Sequence, residues 1–384
     1  MESKSRIMDN SNIKQLIALR KHIHQYPELS GEEEETAKRI LDFFAPLKPD
    51  QTIKGLGGTG LAFVFEGKER GPISLFRCEL DGLPILEEGA IPHASKIKGK
   101  SHVCGHDGHM AIISGLGLEL SQNRPLKGKV VLLFQPAEET GEGANAVIKD
   151  PKFKEIKPDF AFALHNLPTY QFKQIIIKKG PFAAASSGMI IRFKGRNSHS
   201  AHPEAGKSPA EAMAKTIVAL EKLPDAMKKF TLITVIHAQL GEIAFGTTPG
   251  EATVRATLRA YENETRDLLV AYAEKLCTRI AKEYGLQVTF EYTEVFAATH
   301  NDPDAWELGN QAAKNLGLKT KHIRIPFRWS EDFGLFSSYT KTLLFGLGSG
   351  KKQPQLHEPN FDFPDELIPT GVDMFKEIIQ QVHY

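Results

Sequence analysis

Short apolar runs alternate with amphipathic stretches through the first half of the chain. Helices are predicted over 13–26, over 30–44 and over 110–120, and the second would open with a capping box of Ser30 and Glu33. Buried strands are predicted at the short apolar runs 60–65, 73–77, 130–134 and 160–164. Strands that alternate with helices indicate a parallel or mixed α/β sheet.

The pattern changes near residue 180. The next elements are predicted as strand 189–193, helix 208–223, strands 231–239 and 251–260, helix 264–283 and strand 287–293. This βαββαβ order is that of a ferredoxin-like α+β domain, and about a hundred residues suffice for one. A helix at 304–316 and a strand at 342–346 then resume the first pattern.

These patterns predict one α/β domain that is interrupted by a smaller one. The larger domain would comprise 1–183 and 298–384, with a mixed central sheet and helices on both faces. The inserted α+β domain would comprise 184–297.

Polar clusters stand where four of the predicted strands end, at 77–81, 135–139, 165–166 and 346–350. The carboxyl ends of strands line the ligand crevice of open α/β sheets, so these clusters should converge. The segment Cys104-Gly105-His106 adds a thiol and an imidazole at a predicted loop-to-helix junction. Sulfur and imidazole nitrogen together suit Zn²⁺ or a neighbouring first-row metal.

The converging side chains supply enough ligands for two divalent ions, namely Cys104, His106, Glu138 or Glu139, His165 and His357. Two adjacent ions can polarise a carbonyl and lower the pKa of a shared water. On an extended segment Glu138 and Glu139 would point in opposite directions, so that one binds metal and the other serves as general base. A helix N-terminus and a metal would both keep Cys104 as the thiolate. Zn²⁺, Mn²⁺, Co²⁺ and Ni²⁺ all suit this donor set.

Other histidines have simpler interpretations. We expect His102 and His109 to orient ligands rather than to bind metal themselves, because ligating side chains are normally held by outer hydrogen bonds. His22 and His24 lie in the first predicted helix without an evident partner, and are interpreted as structural.

Composition limits the class of protein. The 384 residues suit two domains, with 41% hydrophobic and 25% charged residues. A net charge of +1 gives no field for nucleic acid or a membrane surface. Three cysteines, an odd and small number, favour a reducing compartment over a set of disulfides. The segment 1–12 lacks the apolar core of a signal peptide, and no apolar run is long enough to span a membrane. A cytoplasmic protein is predicted.

Seven motifs appear in order over nearly the whole chain, at 19–30, 80–84, 102–107, 134–139, 199–203, 330–333 and 357–363. With them the sequence resembles the dinuclear-metal aminoacylase and carboxypeptidase family, in its hippurate-hydrolase and auxin-conjugate-hydrolase branch. The resemblance implies that Cys104 bridges two metal ions. His106 and His165 would complete one metal shell, and Glu139 and His357 the other.

The resemblance also implies the catalytic roles. Glu138 would be the general base, and Asp81 would orient the site. The inserted domain would be a lid of the dimerisation type. Its His199 would stabilise the tetrahedral oxyanion, in some relatives across a dimer interface, which allows a homodimer through that domain. Arg259 is a candidate for gripping the substrate carboxylate. Gly246 stands where relatives usually carry a substrate-contacting asparagine.

The expected activity is metal-dependent hydrolysis of the amide of an N-acyl amino acid. A dipeptidase or carboxypeptidase with the same site is the nearest alternative, and only the pocket around Gly246 and Arg259 would discriminate between them. A non-catalytic metal-binding protein of this fold would not need Glu138, Asp81 and His199. A zinc deaminase would carry His-x-Glu together with Pro-Cys-x-x-Cys, and this combined signature is absent. A second departure from the branch is Glu79 in place of its usual aspartate.

Overall fold

A computed structural model describes residues 9–384, and these divide into two compact units. The first unit extends to Phe182 and resumes over His300–Ile325 and Asp332–Tyr384. The second comprises Ala183–Thr299 and Pro326–Glu331. Most of the polar segment 1–12, on which the signal-peptide argument depended, lies outside the described residues.

Eight helices are described: α1 Asn10–Gln25, α2 Glu34–Phe44, α3 His106–Gln122, α4 Gly143–Lys149, α5 Ala210–Lys222, α6 Asn263–Glu283, α7 Pro303–Asn315 and α8 Ile368–His383. The described strands are β1 Gln51–Leu56, β2 Gly60–Glu66, β3 Glu69–Glu79, β4 Lys127–Gln135, β5 Phe160–Pro168, β6 Ile175–Ile177, β7 Gly180–Ala183, β8 Ala185–Lys194, β9 Ser198–His199, β10 Thr231–Leu240, β11 Thr247–Thr248, β12 Glu251–Ala260, β13 Gln287–Phe296, β14 Thr299–Asn301, β15 Thr320–His322 and β16 Lys341–Gly350. Within residues 9–384, none of the helices has the length and apolar character that crossing a bilayer requires.

The first unit is built on an eight-stranded sheet of order β1-β2-β4-β3-β5-β16-β6-β15. Strands β4, β3, β5 and β16 run parallel to their neighbours in that central group. Strands β1 and β2 pair antiparallel, and β6 is antiparallel to β16 but parallel to β15. The mixed sheet with helices, and the separate small antiparallel sheet, confirm the predicted fold class. Because the four central strands are parallel, their carboxyl ends meet at one edge of the sheet.

Aromatic packing and close helix contacts form the core of this unit. The ring of Phe44 stacks on Phe63 with centroids 3.9 Å apart, and Phe134 meets Phe44 edge-on. Helix α3 is buried on nearly all sides, as expected for a helix that is apolar all round. Its Gly108 allows that approach, since a Cβ there would lie 2.3 Å from the ring of Phe363.

The second unit contains an antiparallel sheet of order β10-β12-β8-β13. The chain order β8-α5-β10-β12-α6-β13 gives the ferredoxin-like arrangement, and α5 and α6 pack on one face of the sheet. The segment 326–331, which the sequence assigned to the larger domain, groups with this unit instead. The reason is backbone pairing, because Ala184 N–H donates to the carbonyl of Trp329 at 3.0 Å.

The predicted capping box at Ser30 and Glu33 is wrong. Helix α2 begins only at Glu34, and neither side chain caps it. The Ser30 hydroxyl instead donates to Asp81 at 2.7 Å, and the Glu33 carboxylate accepts from backbone elsewhere. The first turn of α2 is satisfied by Glu28, which accepts the N–H of Thr36 at 2.7 Å.

Several predicted element ends also move. Strands β5 and β16 continue through the polar clusters that the sequence placed beyond them, so His165 lies within β5, and β3 continues into its cluster as far as Glu79. Helix α3 begins at His106 and not at residue 110. In each case buried polar residues continue an element whose apolar pattern has stopped. Arg77 of β3, for example, is 1% exposed and ion-paired with Asp332.

Candidate metal centre

The parallel strands bring four of the predicted site residues to one edge of the sheet in the first unit. Asp81 follows the end of β3, and the turn with Glu138 and Glu139 follows the end of β4. His165 lies near the end of β5, opposite Gly346 of β16. All four side chains are at least four-fifths buried.

The backbone around Gly105 directs Cys104 into this edge. Gly105 precedes α3 with φ +99°, and a Cβ there would lie 2.5 Å from the side-chain oxygen of Asn166. This turn leaves Cys104 Sγ 3.5 Å from His165 Nε2. His357 reaches the same place because its N–H donates to the carbonyl of Val103 at 2.9 Å.

The assembled side chains form two groups of possible metal ligands that share Cys104. One group is Cys104, His106 and His165, and the other is Cys104, Glu139 and His357. Within each group the ligand atoms lie within 4.8 Å of one another. Cys104 Sγ is therefore the ligand atom that the two groups have in common.

Both buried imidazoles donate from Nδ1 and direct Nε2 towards the cluster. His106 Nδ1–H donates to the Asp81 carbonyl at 2.9 Å, and His165 Nδ1–H donates to the Asn166 carbonyl at 2.9 Å. This outer hydrogen bond fixes the tautomer whose Nε2 can bind a metal. Within the described residues, neither His106 Nε2 nor Glu139 Oε1 has a hydrogen-bond partner, although both atoms are buried. A cation would satisfy both atoms.

The electrostatics of the cluster also favour a cation. Burial raises the pKa of the Cys104 thiol well above its usual range, so the helix N-terminus alone does not produce the expected thiolate. Burial raises the pKa of Glu139 to about 7. Burial opposes a charge on His106, but Cys104 and Asp81 raise its pKa well above the ordinary value. The residues present therefore fit divalent metal ions, which would supply the missing positive charge.

The two glutamates lie on a turn and not on an extended segment, so the predicted alternation of their side chains is wrong. Gly141 N–H closes the turn onto the Glu138 carbonyl at 2.8 Å. Both carboxylates consequently approach the same atom, with Glu138 Oε2 3.7 Å and Glu139 Oε1 3.8 Å from His106 Nε2. Their directions alone do not separate base from ligand.

Asp81 connects three parts of the site. Its Oδ2 accepts from the Ser30 hydroxyl at 2.7 Å and from Glu139 N–H at 2.9 Å. Its Oδ1 lies 3.5 Å from His106 Nδ1. Burial disfavours its charge, but the contacts with His106 outweigh burial and lower its pKa. Asp81 is thus placed to orient both His106 and the turn that carries Glu138 and Glu139, called the acidic turn below.

A second layer of buried charge lies behind the ligands. His109 contacts Glu79 at 2.7 Å and Asn166 at 2.6 Å, while Glu79 is ion-paired with the buried Arg77. Glu79, His106 and His109 could form another group of ligands, but the first and last already bind each other. Glu79, which the resemblance marks as a departure, thus contacts a buried arginine and a histidine.

Sequence reasoning missed a buried network at the start of α3. His24 lies 2.8 Å from Asp107, which directly follows His106, and 3.2 Å from Glu87. Burial opposes its protonation, yet Asp107 raises the pKa of His24 to about 9. Arg20 also donates to Asp107, at 3.1 Å. The available signal was the spacing of Arg20 and His24, four residues apart on the apolar face of a helix.

The remaining predicted positions lie in the second unit, whereas the metal cluster belongs to the first. His199 is exposed, and its Nδ1 accepts from Ala201 N–H at 3.0 Å, so the neutral ring carries its proton on Nε2. Gly246 has open space around the position of a Cβ. Arg259 is half-buried and donates to the Arg328 carbonyl at 3.1 Å and to Ser330 at 2.9 Å. Their catalytic roles stay predictions.

Comparison with known proteins gives consistent matches. The family model described as peptidase family M20/M25/M40 matches residues 75–381. The chain is 29% identical to N-acetylcysteine deacetylase of Bacillus subtilis, covering 94% of this chain and 95% of that protein. It is 30% identical to hippurate hydrolase of Campylobacter jejuni, covering 94% of each. The Bacillus subtilis YxeP protein, a dinuclear metal-binding peptidase, superposes with a TM-score of 0.83 at 28% identity, over 98% of this chain and 99% of that one.

Replacement of Gly105 should damage the metal site. Alanine would be strained at φ +99°, at a cost of about 1–2 kcal/mol, and its Cβ would collide with Asn166. Gly105→Ala should therefore bind less Zn²⁺ than the wild type in equilibrium dialysis. Gly99→Ala is the matched control, because Gly99 also has a positive φ (+79°) but no atom within 4 Å of its Cβ position. Equal zinc binding by both variants would contradict the assignment of Gly105 to the site.

Proposed function

The chain belongs to peptidase family M20/M25/M40, which confirms the resemblance drawn from its motifs, and we propose that it hydrolyses the amide bond of N-acyl amino acids. The products would be a carboxylate and a free amino acid. The observation that carries this proposal is the pair of ligand groups that share Cys104 beside a further carboxylate, Glu138. The names of two relatives, N-acetylcysteine deacetylase and hippurate hydrolase, favour this substrate class.

Two divalent ions would be held by the residues of the cluster. His106 and His165 would bind one ion, Glu139 and His357 the other, and Cys104 both. Zn²⁺, Mn²⁺, Co²⁺ and Ni²⁺ all suit sulfur, nitrogen and oxygen donors. When bound, such ions polarise a carbonyl and lower the pKa of a shared water.

The chain's own side chains would move the protons. Glu138 would accept a proton as water adds to the amide carbon, and would pass it to the nitrogen as the C–N bond breaks. Asp81, held by Ser30, would keep His106 and the acidic turn in place. His199 Nε2–H would donate to the developing oxyanion, a contribution on the order of 10²–10³ in rate. Arg259 would grip the substrate carboxylate by a charge-assisted contact.

Peptide hydrolysis is the nearest alternative, since a dipeptidase or carboxypeptidase could use the same ligands and base. The open space at Gly246 leaves room for a substrate group where relatives usually place asparagine. The two activities thus differ in the substrate that is cleaved, so rates measured on both substrate classes can separate them.

A hydrolysis screen tests the proposed activity. Metal-free protein should be inactive, and activity should return when Zn²⁺, Mn²⁺, Co²⁺ or Ni²⁺ is added, because the base has no polarised substrate without metal. N-acetyl and N-benzoyl amino acids should be cleaved faster than dipeptides, as judged by kcat/KM from amine release. Faster dipeptide cleavage would favour the peptidase alternative. Full activity in the presence of a strong chelator would contradict the metal mechanism.

Three variants should separate base, ligand and oxyanion donor. Glu138→Ala should lose at least 10²-fold in kcat and retain its metal, because only a proton acceptor is removed. Glu139→Ala should lose metal as well. His199→Ala should lower kcat by about 10²–10³-fold with metal content unchanged. Metal analysis and kcat on the same preparations provide the measurement. Metal loss by Glu138→Ala would show that the two glutamates have exchanged roles.

The second unit carries an exposed apolar surface that suits a homodimer. Strand β10 is an edge strand, and Ile236 on it is 64% exposed. Ile243 and Phe245, in the following loop, are each 99% exposed. Unpaired edges and contiguous apolar side chains commonly mark association sites. We therefore propose that two chains associate through this surface, and that the unpaired edge of β10 pairs with its copy.

Light scattering in solution tests this association. The wild type should have twice the mass of one chain, and Phe245→Asp should shift it towards the monomer by placing a charge in the apolar contact. Leu268→Asp is the control, because Leu268 is 45% exposed but lies on α6, on the helical face of the unit. A monomeric wild type at micromolar concentration would contradict the homodimer.

A further inference from the structure

Glu33 is a fully buried carboxylate that belongs to none of the candidate ligand groups of the described residues. Its Oε1 accepts from Gly31 N–H at 2.9 Å and from Ala137 N–H at 2.8 Å. Its Oε2 accepts from the Thr59 hydroxyl at 2.7 Å. Among the ion pairs of residues 9–384, none includes Glu33. Neutral donors, which include its own backbone N–H, therefore oppose the cost of burial, which raises the pKa of its carboxyl. A buried acid without a cation is expensive, so stability alone explains it poorly.

Ala137, which Glu33 contacts, has an unusual backbone. Its φ is +50°, in the left-handed region that residues with a Cβ rarely adopt. Such strain persists only where surrounding contacts hold it. Ala137 stands between the end of β4 and Glu138, and its carbonyl accepts from Gly143 N–H at 2.9 Å. The bonds from Gly143 and to Glu33 fix both peptide groups that flank the strained φ and ψ angles.

Rotation at Ala137 would redirect the residues that follow it. Glu139 has its own anchor, because its N–H donates to Asp81. Glu138 is bounded by Ala137 on one side and this anchor on the other, so its side-chain direction depends on the Ala137 conformation. Sequence position hides this connection, because Glu33 and Glu138 are far apart in the chain and Glu33 stands within a run of four glutamates.

We propose that Glu33 is a positioning residue for Glu138, and that it acts by holding Ala137 in its left-handed conformation through the Ala137 amide. The proposal deepens the proposed function and rests on it for the role of Glu138. Glu33 itself touches no reacting atom. The interaction requires an acceptor oxygen at a set distance, and a negative charge is not essential to it. That distinction can be tested by substitution.

Two substitutions separate distance from charge. Glu33→Asp keeps the charge but withdraws the oxygen from the Ala137 amide by one methylene. It should lower kcat on the order of 10²-fold, as expected when a catalytic group is misplaced by about 1 Å, with KM and metal content near those of the wild type. Glu33→Gln keeps an acceptor oxygen within reach of Gly31 and Ala137, and should retain kcat within about threefold. Equal losses in both variants would overturn the hydrogen-bond role.

A second pair of variants tests the strain at Ala137. Glycine adopts positive φ about as readily as negative φ, so it has less need of an external contact. Ala137→Gly should therefore restore at least tenfold in kcat when it is added to Glu33→Asp. The same change in the wild-type background should alter kcat by less than threefold. Losses that simply multiply in the double variant would overturn the proposed coupling.

Amide hydrogen exchange provides a readout that does not depend on catalysis. Peptides that contain Ala137 should exchange slowly in the wild type and in Glu33→Gln, and faster in Glu33→Asp. Glu28→Ala is the control, because Glu28 binds the first turn of α2 and has no recorded contact with the acidic turn. It should leave exchange at Ala137 and kcat unchanged.

The kinetic and hydrogen-exchange measurements distinguish failure of this proposal from failure of the proposed function. If the wild type cleaves none of the substrates, the proposed function fails while exchange still reports on the Glu33 contact. Unchanged exchange in Glu33→Asp would overturn the proposal, as would faster exchange at the wild-type kcat. A fall in kcat for Glu28→Ala equal to that for Glu33→Asp would indicate general loosening of α2 and would also overturn it.

Discussion

The gathering of buried anionic and soft donor atoms at one sheet edge is the constraint on which the first unit depends. Cys104, Glu138, Glu139 and Asp81 lie around His106, and burial opposes a negative charge on Cys104, Glu139 and Asp81. Such a cluster is costly unless a cation compensates it. The same shortage of positive charge raises the pKa of His106 well above its ordinary value. A site that accepts two divalent ions is the economical explanation of these features.

The acidic turn is held from several directions, which suits a group that must keep one position during reaction. Asp81 binds it at Glu139, and Glu33 binds it at Ala137. Beyond the turn, Asp332 accepts from Ala144 N–H at 2.8 Å and from the Gln135 side chain. These anchors come from distant parts of the chain, so the turn is defined by tertiary contacts and not by its own sequence. Rigid support of this kind would keep Glu138, the proposed general base, aligned.

The candidate metal ligands and the residues predicted to contact substrate lie in different units. The ligand cluster and its outer hydrogen bonds lie wholly within the first unit, where parallel strands and α3 give a rigid frame. The second unit presents His199 and Gly246 on short strands and loops at its surface, together with exposed apolar side chains. Family membership confirms the resemblance seen in the motifs, and hydrolase chemistry with a dinuclear metal site is common to that family and to the YxeP structure.

The sequence by itself determined the fold class and the identity of the residues that meet at the sheet edge. Apolar runs of strand length, helical periodicity and the βαββαβ order are local patterns. They can be identified in the sequence without knowledge of distant contacts. Only the tertiary structure decided what buried polar residues bind. The sequence predicted that Ser30 and Glu33 cap a helix, but Ser30 binds Asp81 and Glu33 binds Ala137. It also predicted that Glu138 and Glu139 lie on an extended segment, but they lie on a turn that directs both side chains to His106. The physical reason is that a buried polar group takes whichever partner the fold brings near, and that partner is often more than a hundred residues away.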